Sequence, residues 1–143
     1  MTTNEKTKVA MLVATAQDAE VRGAALQKLA AQNDLLELVF AGMDQEPEEI
    51  ISAFSGAAAL ITMNKKVVNP IATNLPGLKL LQTFSAGTDE LDRAQLLSQG
   101  VKVANNGGAN AVAVAEHAIW MMVTINHKLD LQIESVKAGK WVA

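Results

Sequence analysis

The sequence predicts a doubly wound α/β fold, a five-stranded parallel sheet of order 2-1-3-4-5 followed by a long C-terminal helix. Three observations lead there. Five short apolar runs alternate with segments of helical spacing. The runs are apolar at consecutive positions, as in strands of a parallel sheet covered on both faces. No internal repeat or low-complexity linker separates them, and 2-1-3-4-5 is the simplest doubly wound order.

Residues 8–15 read as the first strand, with Val9, Met11, Leu12 and Val13 in a near-continuous run. Residues 17–32 follow with Val21, Ala25 and Leu29 at helical spacing. Residues 35–40 form the second strand. Pro47 opens a short helix, Glu48 and Glu49 favour its first turn, and Phe54 closes it. Residues 57–62 are the third strand. Residues 67–75 make a short helix around Pro70, and Pro76-Gly77 is a turn before the fourth strand, 78–84. Residues 89–99 read as a helix with Leu91, Ala94 and Leu97 facing inward and Gly100 at its C-terminal cap. Residues 101–104 are the fifth strand. From 111 to 138 the pattern is helical almost without a break, about 40 Å at the standard rise.

A chain of 143 residues is long enough to bury a core. Half of it is hydrophobic and only 3% aromatic, so the core must be aliphatic. The net charge of −3 does not resemble a nucleic-acid footprint, so no nucleic-acid partner is expected. With no cysteine there is neither a disulfide framework nor a thiolate metal site. Met1 to Thr7 lacks a signal-peptide pattern, and the longest apolar stretch, 111–125, contains Glu116 and His117 and is too short to span a bilayer. A cytoplasmic domain without membrane association is the expectation. The first half of the last helix is apolar nearly all round (Val112, Val114, Ile119, Trp120, Met121, Met122), which favours contact with a second domain or subunit over packing on its own sheet alone.

Two small-residue loops carry the candidate chemistry, Ser85-Ala86-Gly87-Thr88-Asp89 and Asn106-Gly107-Gly108-Ala109-Asn110. Each ends a strand and leads towards a helix, an arrangement that offers backbone N–H groups to small anions. The structural alternative is an ordinary turn with Asp89 as N-cap. Asn110 is either the N-cap of the long helix or a side-chain donor and acceptor for a ligand. His117 and His127 lie ten residues apart, about 15 Å along a helix, too far to share a metal, and no metal site is expected. A phosphoryl-receiver domain is disfavoured because Thr15-Ala16 and Thr62-Met63 end the first and third strands without acidic residues. A flavodoxin is disfavoured because Thr15-Ala16-Gln17-Asp18 has no glycine.

Taken together, Leu80-Leu81-Gln82-Thr83-Phe84-Ser85-Ala86-Gly87-Thr88-Asp89 and Asn110-Ala111-Val112-Ala113-Val114-Ala115-Glu116-His117 resemble the NAD(P)-dependent D-isomer-specific 2-hydroxyacid dehydrogenases. Gly139-Lys140-Trp141 is similar to the segment before that family's cofactor domain. The resemblance implies a flavodoxin-like substrate-binding domain over residues 1–108 and an interdomain and dimerisation helix over 109–143. It implies that Ser85, Ala86 and Gly87 hold the carboxylate of a small 2-hydroxy or 2-oxo acid through backbone N–H groups. Asn110 matches a substrate-contacting position, Val114 a position near the nicotinamide of NAD or NADP, and the long helix a homodimer element.

The departures are equally informative. None of the nine glycines forms a Gly-x-Gly-x-x-Gly spacing. The family's catalytic Arg, acidic partner and His match no residue here, so no catalytic residue is assigned. Gly107 stands where many members have Pro. The expectation is a chain truncated before the cofactor domain and catalytically incompetent alone. The alternative is a stand-alone module that binds a small carboxylate or dimerises.

Overall fold

The computed structural model describes residues 6–31 and 35–141. They form two compact units, one ending at Gly107 and one starting at Gly108. In the first, β1 (Thr7–Val13), β2 (Leu36–Gly42), β3 (Ala59–Thr62), β4 (Leu80–Thr83) and β5 (Lys102–Ala104) alternate with α1 (Ala16–Ala30), α2 (Pro47–Phe54), α3 (Val68–Thr73) and α4 (Arg93–Ser98). The sheet is parallel throughout, in the expected order β2-β1-β3-β4-β5. The second unit holds α5 (Ala111–His127) and α6 (Leu129–Lys137).

The core lies on one face of the sheet. Ala10 and Leu12 of β1, Leu60 of β3 and Leu81 of β4 meet Ile50 and Phe54 of α2, Val68 and Ile71 of α3, and Leu96 of α4. Side chains two apart on a strand share a face, so Met11 and Val13 point the other way. There the first unit supplies α1, which packs over β1 and β2. Over β3 and β4 that face is uncovered by the first unit, and Met63, Leu80 and Phe84 are exposed. Within the first unit, helices therefore cover one face and half of the other.

Close approach fixes the first crossover. A Cβ on Gly42 would lie 2.0 Å from the Ala16 nitrogen, so only glycine lets the end of β2 pass the start of α1. The inward stripe of α1 is Ala19, Gly23 and Leu26, while Val21 is 66% exposed. The expected positions Val21 and Ala25 were out of phase because Gly23, where an added Cβ would lie 3.2 Å from the Phe40 ring, carries no hydrophobic signal, and the side chain of Leu29 lies outside the described residues. The expected helix end at Gln32 lies outside the described residues.

α4 also differs from expectation. It starts at Arg93, because the Asp92 carboxylate accepts the Gln95 N–H at 2.9 Å and sets the cap there rather than at Asp89. That phase buries Leu96 and leaves Leu97 70% exposed. Gly100, at φ +80°, takes the left-handed position after the helix, as its sequence context implied. The C-terminal helical stretch is divided at Lys128, whose φ of +49° ends α5 and starts α6. The residue type gives no warning of that break, since lysine is a good helix former.

Candidate functional site

In open α/β sheets ligands gather beyond the carboxyl ends of the strands. At that edge the segment after β4, residues 84–92, is held from both sides. On the β3 side, Asn64 Oδ1 accepts the Glu90 N–H at 3.0 Å. Asn69 donates through Nδ2 to the Glu90 carbonyl at 2.9 Å and accepts the Asp92 N–H at 2.8 Å. Lys66 Nζ stands 3.7 Å from the Glu90 carboxylate.

On the β5 side the bonds fall on the loop's carbonyls. Asn106 Nδ2 donates to the Phe84 oxygen at 3.4 Å. The Asn106 N–H donates to the Ser85 oxygen at 3.1 Å, and the Thr83 hydroxyl donates to the same oxygen at 2.7 Å. Asn105 Nδ2 donates to the Ala86 oxygen. The Ser85 hydroxyl donates to the Gly87 oxygen at 3.0 Å. Four consecutive carbonyls are thus engaged. The N–H groups of Ser85, Ala86 and Gly87 meet no acceptor among the described residues.

Successive unpaired N–H groups in a turn carry positive partial charge and are donors for an anion. The donors are loop amides and not a helix terminus, because α4 begins six residues beyond Gly87. The sequence expectation of a helix starting at Asp89, directly after this loop, is therefore corrected. Asp89 opposes an anion, since its Oδ2 lies 3.2 Å from where a Gly87 Cβ would sit. Phe84, at the head of the loop, lines an apolar cavity of about 410 Å³ with Met11, Val13, Leu26, Phe40 and Met63. Asp18 and Arg22, an ion pair at 3.5 Å, complete the cavity's polar wall.

Asn110 and Val114 belong to the second unit. Asn110 occupies the N-cap position of α5, but its side chain makes no capping hydrogen bond. Val114 is 58% exposed. His117 stacks on Trp120 with ring centroids 5.5 Å apart. His127 closes α5, where its carbonyl accepts the Gln132 amide at 2.6 Å. No group of three His, Cys, Asp or Glu among the described residues could hold a metal ion. No described helix is long and apolar enough to cross a membrane.

The first strand-to-helix turn is closed to phosphate. Asp44 Oδ1 accepts the Ala16 N–H at 2.7 Å, and the Thr15 hydroxyl accepts the Asp18 N–H at 3.0 Å. With those donors taken and a carboxylate beside them, the turn does not fit a dinucleotide pyrophosphate.

Sequence reasoning singled out Ser85–Gly87 but missed Asn64, Asn69 and Asn105. Their role depends on adjacent strand ends converging, and an asparagine after a strand is by itself only a turn signal.

A family model for the D-isomer specific 2-hydroxyacid dehydrogenase catalytic domain matches residues 10–139. The chain is 34% identical over 97 residues to glycerate dehydrogenase of Methylorubrum extorquens, covering 66% of this chain and 30% of that protein. It is 31% identical over 111 residues to D-3-phosphoglycerate dehydrogenase of Archaeoglobus fulgidus, covering 77% and 21%. The chain therefore spans less than a third of the length of either relative. Among solved structures, the NADPH-dependent glyoxylate/hydroxypyruvate reductase of Sinorhizobium meliloti, complexed with NADP and malonate, superposes with a TM-score of 0.66 at 15% identity. That match covers 96% of this chain and 42% of the reductase. D-lactate dehydrogenase of Aquifex aeolicus, complexed with NAD and lactic acid, gives 0.64 at 21% identity, covering 94% and 38%. The chain belongs to the D-isomer specific 2-hydroxyacid dehydrogenase family.

Proposed function

We propose, with that membership as the premise, that this chain is the substrate-binding part of a cytoplasmic oxidoreductase acting on the CH–OH group of small D-2-hydroxy acids with NAD or NADP. The observation that carries the reading is the set of amides at Ser85, Ala86 and Gly87, which meet no acceptor among the described residues while the loop's carbonyls are engaged. A carboxylate brings two acceptor oxygens to such donors, and charge-assisted bonds of this kind exceed neutral ones in strength. Asn110, free of a capping bond, is assigned to the hydroxyl or keto oxygen, for which an amide supplies both donor and acceptor. Val114 is assigned to the flank of the nicotinamide ring. The small carboxylates named with the superposed reductase and D-lactate dehydrogenase support the ligand class.

The residues of this chain do not fit a dinucleotide. They contain no Gly-x-Gly-x-x-Gly spacing, and the turn after β1 is closed. Hydride transfer needs a nicotinamide and a substrate carbon positioned together. The chain alone therefore binds substrate and catalyses no redox step. A homodimer through α5 is part of the same reading: none of its residues is buried, and Val112, Ile119, Trp120, Met122 and Ile125 are all more than half exposed.

The closed turn also favours a second reading, a stand-alone small-carboxylate-binding or dimerising module without enzymatic activity. Titration of the 143-residue chain with malonate and glyoxylate, followed by amide NMR, tests what the two share. Shifts centred on residues 85–87 support the site, and their absence at high ligand concentration refutes it. Measurable NADH oxidation with glyoxylate by the purified chain would refute its incompetence.

A further inference from the structure

We propose that Asn105 and Asn106 are the positioning residues that turn the amides of Ser85, Ala86 and Gly87 outward, an inference that rests on the carboxylate reading of this loop. In a trans peptide the carbonyl and the following N–H point in opposite directions within one plane. Holding a carbonyl therefore aims the next residue's N–H. Asn106 Nδ2 on the Phe84 oxygen aims the Ser85 N–H, and the Asn106 N–H on the Ser85 oxygen aims the Ala86 N–H. Asn105 Nδ2 on the Ala86 oxygen aims the Gly87 N–H.

The Ala86–Gly87 peptide needs this restraint most. Glycine accepts φ of either sign, so the unit can flip with little steric cost. A flipped unit would present a carbonyl oxygen where the anion expects a donor, replacing attraction by repulsion. Of the contacts along residues 84–87, the Asn105 amide is the partner of that oxygen. Both asparagines are exposed and outside the core cluster, so folding does not require them.

The test compares the full 143-residue chain with Asn105→Ala, Asn106→Ala and Asn105→Asp, which keeps the size but lacks the donor. Asn74→Ala is the control, because Asn74 makes a like bond to the Pro70 carbonyl at 2.8 Å. Residual dipolar couplings of the three amides are measured without ligand, then malonate affinity at constant ionic strength. Both Asn105 variants should change the Gly87 coupling, and Asn106→Ala the Ser85 coupling. Asn105→Ala should weaken malonate by about tenfold. Asn74→Ala should move neither readout, even if its thermal midpoint falls by as much. Unchanged couplings in the Asn105 variants would overturn the proposal. If malonate moves no amide of residues 85–87 in the unaltered chain, the carboxylate reading fails, while the ligand-free couplings still decide whether the asparagines set the orientation.

Discussion

Thr62 and Thr83 are register partners at the ends of β3 and β4, both fully buried, yet their hydroxyls differ. Thr83 Oγ1 donates to the Ser85 carbonyl at 2.7 Å, whereas Thr62 Oγ1 meets no partner among the described residues. A buried hydroxyl without a partner costs stability, and a paired one does not.

Thr62→Val keeps the β-branched shape and removes the orphan, so it should stabilise the chain by about 1 kcal/mol. Thr83→Val should destabilise it by about 1 kcal/mol and loosen the Ser85 carbonyl. Urea unfolding of both variants checks the opposite signs. A loss of stability in Thr62→Val would show that its hydroxyl is satisfied.

Asn110→Ala should change stability by only a few tenths of a kcal/mol, below the ~1 kcal/mol of a bonded N-cap. The side chain makes no capping bond, so its sequence context overstated its structural role. A fall in malonate affinity with an unchanged thermal midpoint would then report the ligand contact directly. Equal affinity would remove Asn110 from the site.

Asp89→Asn should strengthen malonate binding by roughly two- to fivefold at low ionic strength, because one negative charge leaves the side of Gly87. The gain should shrink as salt approaches physiological strength, where the screening length is about 8 Å. Calorimetry at two salt concentrations checks it, and a salt-independent gain would mean a different cause.

Ile119→Glu with Met122→Glu should convert the dimer expected through α5 to a monomer, since both side chains are more than 60% exposed on an apolar helix. Light scattering at matched concentrations reads the change. If the unaltered chain is already monomeric at high concentration, the homodimer is wrong.

Much of the fold was legible in local patterns. Consecutive apolar residues such as Met11, Leu12 and Val13 marked strands, and Pro47 with Phe54 bounded α2 to the residue. Helix phase was less legible. A single capping bond from Asp92 moved the buried position of α4 from Leu97 to Leu96, and Gly23 turned the stripe of α1 by filling its packing role with no side chain.

By itself the sequence determined the parallel sheet and the loop of small residues after β4, because these follow from hydrophobic period and turn chemistry within a few residues of each other, while the strand order was the simplest one for such a sheet and was fixed by the pairing of distant strands. It also excluded a dinucleotide fingerprint. Only the tertiary structure decided which way the amides of that loop point. Asn105 and Asn106 reach Phe84, Ser85 and Ala86 from about twenty residues away. Neighbouring strand ends must first be hydrogen-bonded side by side, through β4 and β5, before one loop's side chains can hold another loop's carbonyls.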